Sequence, residues 1–481
     1  MNLRLTWVQP EDLVGHELRQ AEEDGRDASD IAHRWHTSGG ATAPASAGAS
    51  PAPASPHVRA LAVRLLDELD RLPSPSADLE PTPLHEIRAA CPSWPDRDDL
   101  PAGQGLPTGR GLPTERGHDA GQGDDVLLHR LHAAWLGRAA GCLLGKPVEK
   151  LALHAIRALA RATGNWPLGT WFTAKGVPAG LLAEHPWNRR SAATSLAENI
   201  DGMPEDDDLN YPLLNLLLLQ RYGHGFSTAD VARLWLDELP AGRTFTAERV
   251  AYRNLLSGLG PPLTAAHHNP FREWIGAAIR ADTHGWTHPG DPAAAAAQAH
   301  RDAALTHTAN GVYGAMFVAA ALAEAATGTA DVHQCLRTAL RVVPPRSRLA
   351  EAVLLGIETA DGHKDFDDVV DRLHAAYGTY HWVHVIPNTA LLCAALTHAD
   401  GDFSGSICRA VSGGWDTDSN GATAGSLAGL LAGHPDRLPE RWTAPLKNRL
   451  STTVTGFDGI GFDSLAHLTR AQITLREDLR P

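Results

Sequence analysis

Cysteine is scarce and unpaired in this chain of 481 residues: Cys91, Cys142, Cys335, Cys393 and Cys408 are scattered, with no CxxC among them. That excludes a zinc ribbon and gives no ground for a disulfide framework. Long uncharged apolar runs are also missing, and none approaches the roughly 18 residues that a membrane span needs. The first residues, MNLRLTWVQPEDL, lack the apolar stretch of a secretory leader. A basic excess is absent too. With 42 Lys+Arg against 56 Asp+Glu the formal net charge is −14, and the pI is near 5.9. Such a chain lacks the electrostatic footprint of a general nucleic-acid binder. Hydrophobic residues make up 43%, enough for a sizeable core. The expectation is a soluble, cytoplasmic protein in a reducing compartment.

Proline is unevenly placed. Residues 1–123 are a quarter of the chain and hold 14 of its 33 prolines. Within them, 10–36 reads as a polar helix and 57–72 as an amphipathic one. Between these lies SGGATAPASAGASPAPASP, and residues 95–123 form a second biased tract with GLPT at 105–108 and 111–114. Neither tract carries enough apolar surface to offset its ordering entropy. Residues 1–123 are therefore expected to be a partly disordered extension, and 124–481 a domain that folds without it. From Val126 onward, segments that are apolar at helical period alternate with Gly/Pro punctuation, predicting a single large all-α domain of about a dozen helices. LLNLLLLQ (213–220) and ATAGSLAGLLAG (422–433) are apolar nearly all round, as helices at the centre of a bundle are.

Two acidic clusters stand at helix starts. Glu205, Asp206, Asp207 and Asp208 follow Pro204, and Asp416, Asp418 and Ser419 follow Gly413-Gly414-Trp415. Carboxylates there can cap free N–H groups and favour the helix dipole. Four in a row exceed what one cap uses, and carboxylates gathered at the ends of buried helices must be neutralised. Hard divalent cations with oxygen ligands do this, and the two roles are compatible. A small-residue helix ending AAGCLLG is followed by Lys146-Pro147-Val148-Glu149, and THTANGVYGAM (306–316) runs from a polar turn into an apolar helix.

Together and in this order, these segments resemble the ADP-ribosylglycohydrolase family over roughly 126–470. The resemblance implies an all-α fold with a site for two Mg²⁺ ions, Mn²⁺ being an alternative. It places the family's essential glutamate at Glu149 and its Thr-Asp-Asp metal motif on Glu205, Asp206 and Asp207. Its Gly-Asp-Thr-Asp-Thr/Ser motif falls on Trp415 to Ser419, with Asp416, Asp418 and Ser419 as metal ligands and Trp415 beside the substrate. The diphosphate-cradling glycine loop looks like Gly276 to Arg280. The substrate-lining Ser-His pair looks like Thr306-His307, with Asn310, Gly311 and Tyr313 behind it. The chain departs from the family pattern at Glu205 (usually Thr), at Cys142 (often Asp) and at Trp274-Ile275 in the glycine loop, as in a divergent bacterial branch. The implied activity is hydrolysis at the anomeric carbon of ribose in an ADP-ribosylated protein or a related ADP-ribosyl compound. The alternatives are a small N- or O-ribosyl metabolite as substrate, or a catalytically silent ADP-ribose-binding protein with residues 1–123 as its partner-binding arm.

Overall fold

The computed structural model describes residues 4–44, 48–50, 52–95 and 120–478, with the backbone alone described at 120–124 and 474–478. Helices account for nearly all regular structure. Among the described residues the β-pairing consists of isolated bridges, such as Trp274 with His384, so the all-α expectation holds. Among them, too, no helix is long and apolar enough to cross a membrane.

The centre is built from helices apolar on every side: Ala309–Ala325, Val385–His398 and Thr417–Ala432. Thr417–Ala432 runs antiparallel to Ala120–Gly145, and glycines bring the two backbones together. A Cβ on Gly141 would overlap the carbonyl of Gly421, and one on Gly421 would overlap that of Gly141; Gly137 and Gly425 repeat the relation one turn on. Any side chain at these positions would force the helices apart. One end of this pair carries the site. The long helix stops at Gly145, and a short turn over Lys146–Val148 leads to Glu149. Asp416 occupies the N-cap position of the facing helix beside it, without a side-chain capping hydrogen bond.

The amino-terminal segment differs from the expectation of a separable extension. The polar helix foreseen over 10–36 breaks at Gly25, whose φ of 76° is left-handed, into Pro10–Glu23 and Ser29–Thr37. Pro56–Leu69 and Leu84–Ala90 follow. These helices bury Leu13, Trp35, Leu65, Leu66 and Ile87 completely or nearly so. Buried ion pairs join them to the main body: Glu17 with Arg272 at 2.9 Å, Glu80 with Arg348 at 2.7 Å. Gln20 donates to Glu273 at 2.7 Å. Composition pointed to solvent because the tract around 37–56 is poor in apolar residues. Polar contacts hold its described part instead, as where Trp7 N–H donates to the Gly48 carbonyl at 2.6 Å. The second tract lies, from 96 to 119, outside the described residues.

Candidate functional site

Three helix ends meet at one cleft of about 630 Å³. Asp207–Tyr222 begins there, with Asp206 as its N-cap accepting the Asp208 N–H at 2.9 Å. Thr417–Ala432 contributes Asp416, Asp418 and Ser419, and the turn after Gly145 contributes Lys146 and Glu149. Capping and clustering thus coincide at Asp206.

The two acidic motifs touch. The Ser419 hydroxyl donates to Asp208 at 3.3 Å, and the Cys142 thiol lies 3.8 Å from the same carboxylate. Lys146 and Asp206 form a tight buried ion pair, and Arg138 reaches Asp208 at 3.3 Å. Among the described residues no basic side chain pairs with Asp207, Asp416 or Asp418. Burial raises the Asp207 carboxyl well above the usual range, and the Asp206 and Asp418 charges push it further. Asp416 is raised by burial, then by Asp418 and Glu149. Asp418 reaches about 7, by burial and by the Glu149 and Asp206 charges. Burial acts the same way on Asp206, but the Lys146 ammonium outweighs it and holds that carboxyl low. Burial and the Asp206 and Asp208 charges keep the Cys142 thiol protonated, so it is no soft ligand. Asp207, Asp416 and Asp418 are hard oxygen donors whose mutual repulsion no described basic side chain relieves by pairing, a set that fits divalent cations of the magnesium kind.

Glu149 faces the cleft with its carboxylate fixed on both sides. Asn188 donates to one oxygen at 2.6 Å, and Lys150 pairs with the other at 2.7 Å. Backbone strain concentrates here. Lys150, Thr246 and Trp415 all adopt positive φ (71°, 39° and 54°), a conformation that side chains with a Cβ rarely take.

A family model described as ADP-ribosylglycohydrolase matches residues 124–475. The chain belongs to the ADP-ribosylglycohydrolase family. A protein of Archaeoglobus fulgidus described only as uncharacterised is 25% identical over 315 residues, covering 65% of this chain and 90% of its own. A solved structure, an ADP-ribosylglycohydrolase-related protein complex, aligns at a TM-score of 0.47 with 20% identity over 73% of this chain and 99% of its own. Membership supports a glycohydrolase, and Cys142, Asp206 and Asp208 form a candidate metal-ligand group at the cleft.

The geometry shifts part of the expected site. Asp208 joins the cluster, whereas Glu205 turns to the rim, where Arg243 and Asn210 each hold its carboxylate at 2.9 Å. The extended backbone at Asp206 (φ −157°, ψ 149°) explains this, since neighbouring side chains then point to opposite sides. Gly276 lines the cleft, but a Cβ there would strike the Glu248 carboxylate, so this glycine makes room for a glutamate. Arg280 is fully buried against Glu248 and Asp302 at 3.0 and 2.7 Å.

His307, Asn310, Gly311, Tyr313 and Trp415 do not line the cleft. His307 shares a 2.6 Å hydrogen bond with Thr306. Asn310 donates to Glu273 at 3.0 Å, and Tyr313 donates to the Pro81 carbonyl of the amino-terminal segment. Gly311 packs beneath Arg272 and His307, and Trp415 stacks on His374 at 4.0 Å. The amino-terminal helices cover the flank on which Asn310 and Tyr313 would have met a ligand. Sequence reasoning missed Trp7, Arg190, Arg243, Phe245, Glu248 and Trp382, all in the cleft lining. They come from segments with no shared motif, and only the register of four consecutive acids hinted at Asp208.

Proposed function

We propose that the protein hydrolyses the glycosidic bond at the ribose anomeric carbon of an ADP-ribosyl compound. The observation that carries the reading is the convergence of Glu149, Asp206, Asp207, Asp208, Asp416 and Asp418, from three distant segments, on one cleft. Asp206, Asp207, Asp208, Asp416, Asp418 and Ser419 would hold Mg²⁺ or Mn²⁺, which when bound supplies charge neutralisation, Lewis acidity and a lowered pKa for water. Glu149, oriented by Asn188 and Lys150, accepts the proton of the attacking water at its carboxylate. The acidic floor favours the positive charge that develops on the ribose ring as the bond breaks. Arg190, Arg243 and Lys150 line the same cleft and offer donors to a diphosphate.

A smaller ribosyl substrate is the second reading. It is favoured by the Glu248 carboxylate, which sits against Gly276 where a diphosphate cradle would need open backbone. Release of free ADP-ribose from ADP-ribosylated protein, compared with release of ribose from small ribosyl compounds, tests both in the presence of Mg²⁺. ADP-ribose release abolished by a chelator supports the first reading. Turnover confined to compounds without a diphosphate supports the second, and no turnover of either contradicts both.

A further inference from the structure

We infer that the amino-terminal arm is a built part of the substrate cleft, and that Trp7 determines specificity by selecting a planar nucleobase-like ring at the end of the substrate away from the ribose. This rests on the nucleotide reading above. Trp7 lies far outside residues 124–475, the part that matches the family, yet its side chain lines the same cleft as the acidic cluster.

Several independent contacts fix it there. Its backbone N–H donates to the Gly48 carbonyl at 2.6 Å, and its φ of 67° is left-handed, strain that the surrounding contacts must hold. Arg4 bridges Glu11 and Asp12 at 3.0 and 2.8 Å. Arg249, from the helix that begins beside the lining residues Phe245 and Thr246, donates to the Thr6 hydroxyl at 2.6 Å. The Trp7 ring meets Phe271 and Trp274 edge-on at 5.5 and 6.1 Å and His16 at a tilt at 5.9 Å, and Gly48 packs closely on its ring atoms, so the indole is held rigidly with 9% of the residue exposed. With Phe245, Trp382, Ile275, Ile279 and Val383, Trp7 supplies an aromatic and apolar lining in a cleft otherwise made of carboxylates and basic groups. A ligand that is polar at its ribosyl diphosphate and flat and apolar at its far end suits that division.

The experiment measures binding of ADP-ribose and of ribose 5-phosphate to the full chain with Mg²⁺ by calorimetry, in wild type, Trp7→Phe and Trp7→Leu. Leucine keeps apolar bulk without a ring, and phenylalanine keeps a ring. Melting curves establish that each variant is folded. Expected is about tenfold weaker ADP-ribose binding in Trp7→Leu, near wild-type binding in Trp7→Phe, and unchanged ribose 5-phosphate binding in both. Equal ADP-ribose affinity in wild type and Trp7→Leu overturns this inference while leaving the proposed function standing. So does equal weakening of both ligands, which marks a general packing role. A wild type that binds neither ligand overturns the nucleotide reading, and this inference with it. Should Trp7→Leu fail to fold, Trp7→Phe and Trp7→His decide: near wild-type ADP-ribose affinity in Trp7→Phe with weaker binding in Trp7→His supports the inference, and equal affinity in Trp7→His and wild type overturns it.

Discussion

Thr417 donates its hydroxyl to the carbonyl of Gly145 at 2.9 Å, closing the end of one central helix onto the start of the other. A Cβ on Gly145 would collide with the Thr417 backbone. Glu149 and Asp416–Asp418 therefore hold their relative positions through backbone contact rather than through mobile side chains. The same close approach continues down the helix pair through Gly141 and Gly421.

Substituting Gly141→Ala tests that rigidity. The added methyl would meet the backbone of Gly421 and Ala422, which cannot swing aside, so about 1–3 kcal/mol of stability should be lost, with a lower thermal midpoint. Gly164→Ala is a poor control because its φ is 68°, whereas Gly180→Ala has open space and an ordinary backbone. A Gly141→Ala midpoint equal to that of Gly180→Ala would contradict the packing account.

Glu149→Gln keeps shape and hydrogen-bonding length while removing charge and basicity. Turnover should fall on the order of 100-fold, with Mg²⁺ binding nearly intact. The Lys150 pair gives this test its edge. If Glu149 served only that surface pair, the variant would turn over at close to the wild-type rate.

Asp208 and Glu205 make opposite predictions. Asp208→Asn should remove most of the rise in melting temperature that saturating Mg²⁺ gives the wild type, because stabilisation by a bound ion scales with its affinity. Glu205→Thr should keep it, since that carboxylate is held by Arg243 and Asn210 at the rim. The reverse pattern would return Glu205 to the ligand set.

The all-α class and the two acidic motifs were legible because both are local. Helical period shows in any window, and four acids before an apolar helix declare themselves. The choice between Glu205 and Asp208 was not legible, because it depends on one extended residue ahead of the cap. The flank at His307, Asn310 and Tyr313 was misjudged for another reason. Its covering comes from residues 10–90, and nothing in a Pro/Ala/Ser-rich composition announces buried pairs such as Glu17 with Arg272.

Those pairs make the segment costly to remove. Deleting residues 1–95 takes Glu17 and Glu80 from Arg272 and Arg348, leaving Arg348 with Glu273 alone, and uncovers the apolar surface on which these helices pack. The truncated chain should lose its cooperative melt or become insoluble. A sharp transition within a few degrees of the full chain would restore the separable extension expected from composition.

Acid weakens the same seam through His16, packed against Phe271 at 5.1 Å and Trp274 at 6.0 Å. Burial, then the Arg19 charge, lowers its pKa to about 3, against an ordinary value near 6.5. Between these values the unfolded chain binds a proton that the native one does not, so stability falls as pH falls, by up to about 1.4 kcal/mol per unit. Replacing His16→Phe removes this slope. The variant's melting temperature relative to wild type should rise steadily from pH 7 to pH 5. A constant difference would contradict the buried neutral imidazole.

The measurement that tests the central claim most directly is calorimetric titration of Mg²⁺, repeated with Mn²⁺, into chelator-treated full-length protein. Wild type, Asp416→Ala and Asp418→Ala are compared. Saturable binding in the wild type, lost or weakened at least tenfold in both variants, is the predicted result. Equal affinity in all three proteins, or no binding by any, would contradict a divalent-cation site built from these carboxylates.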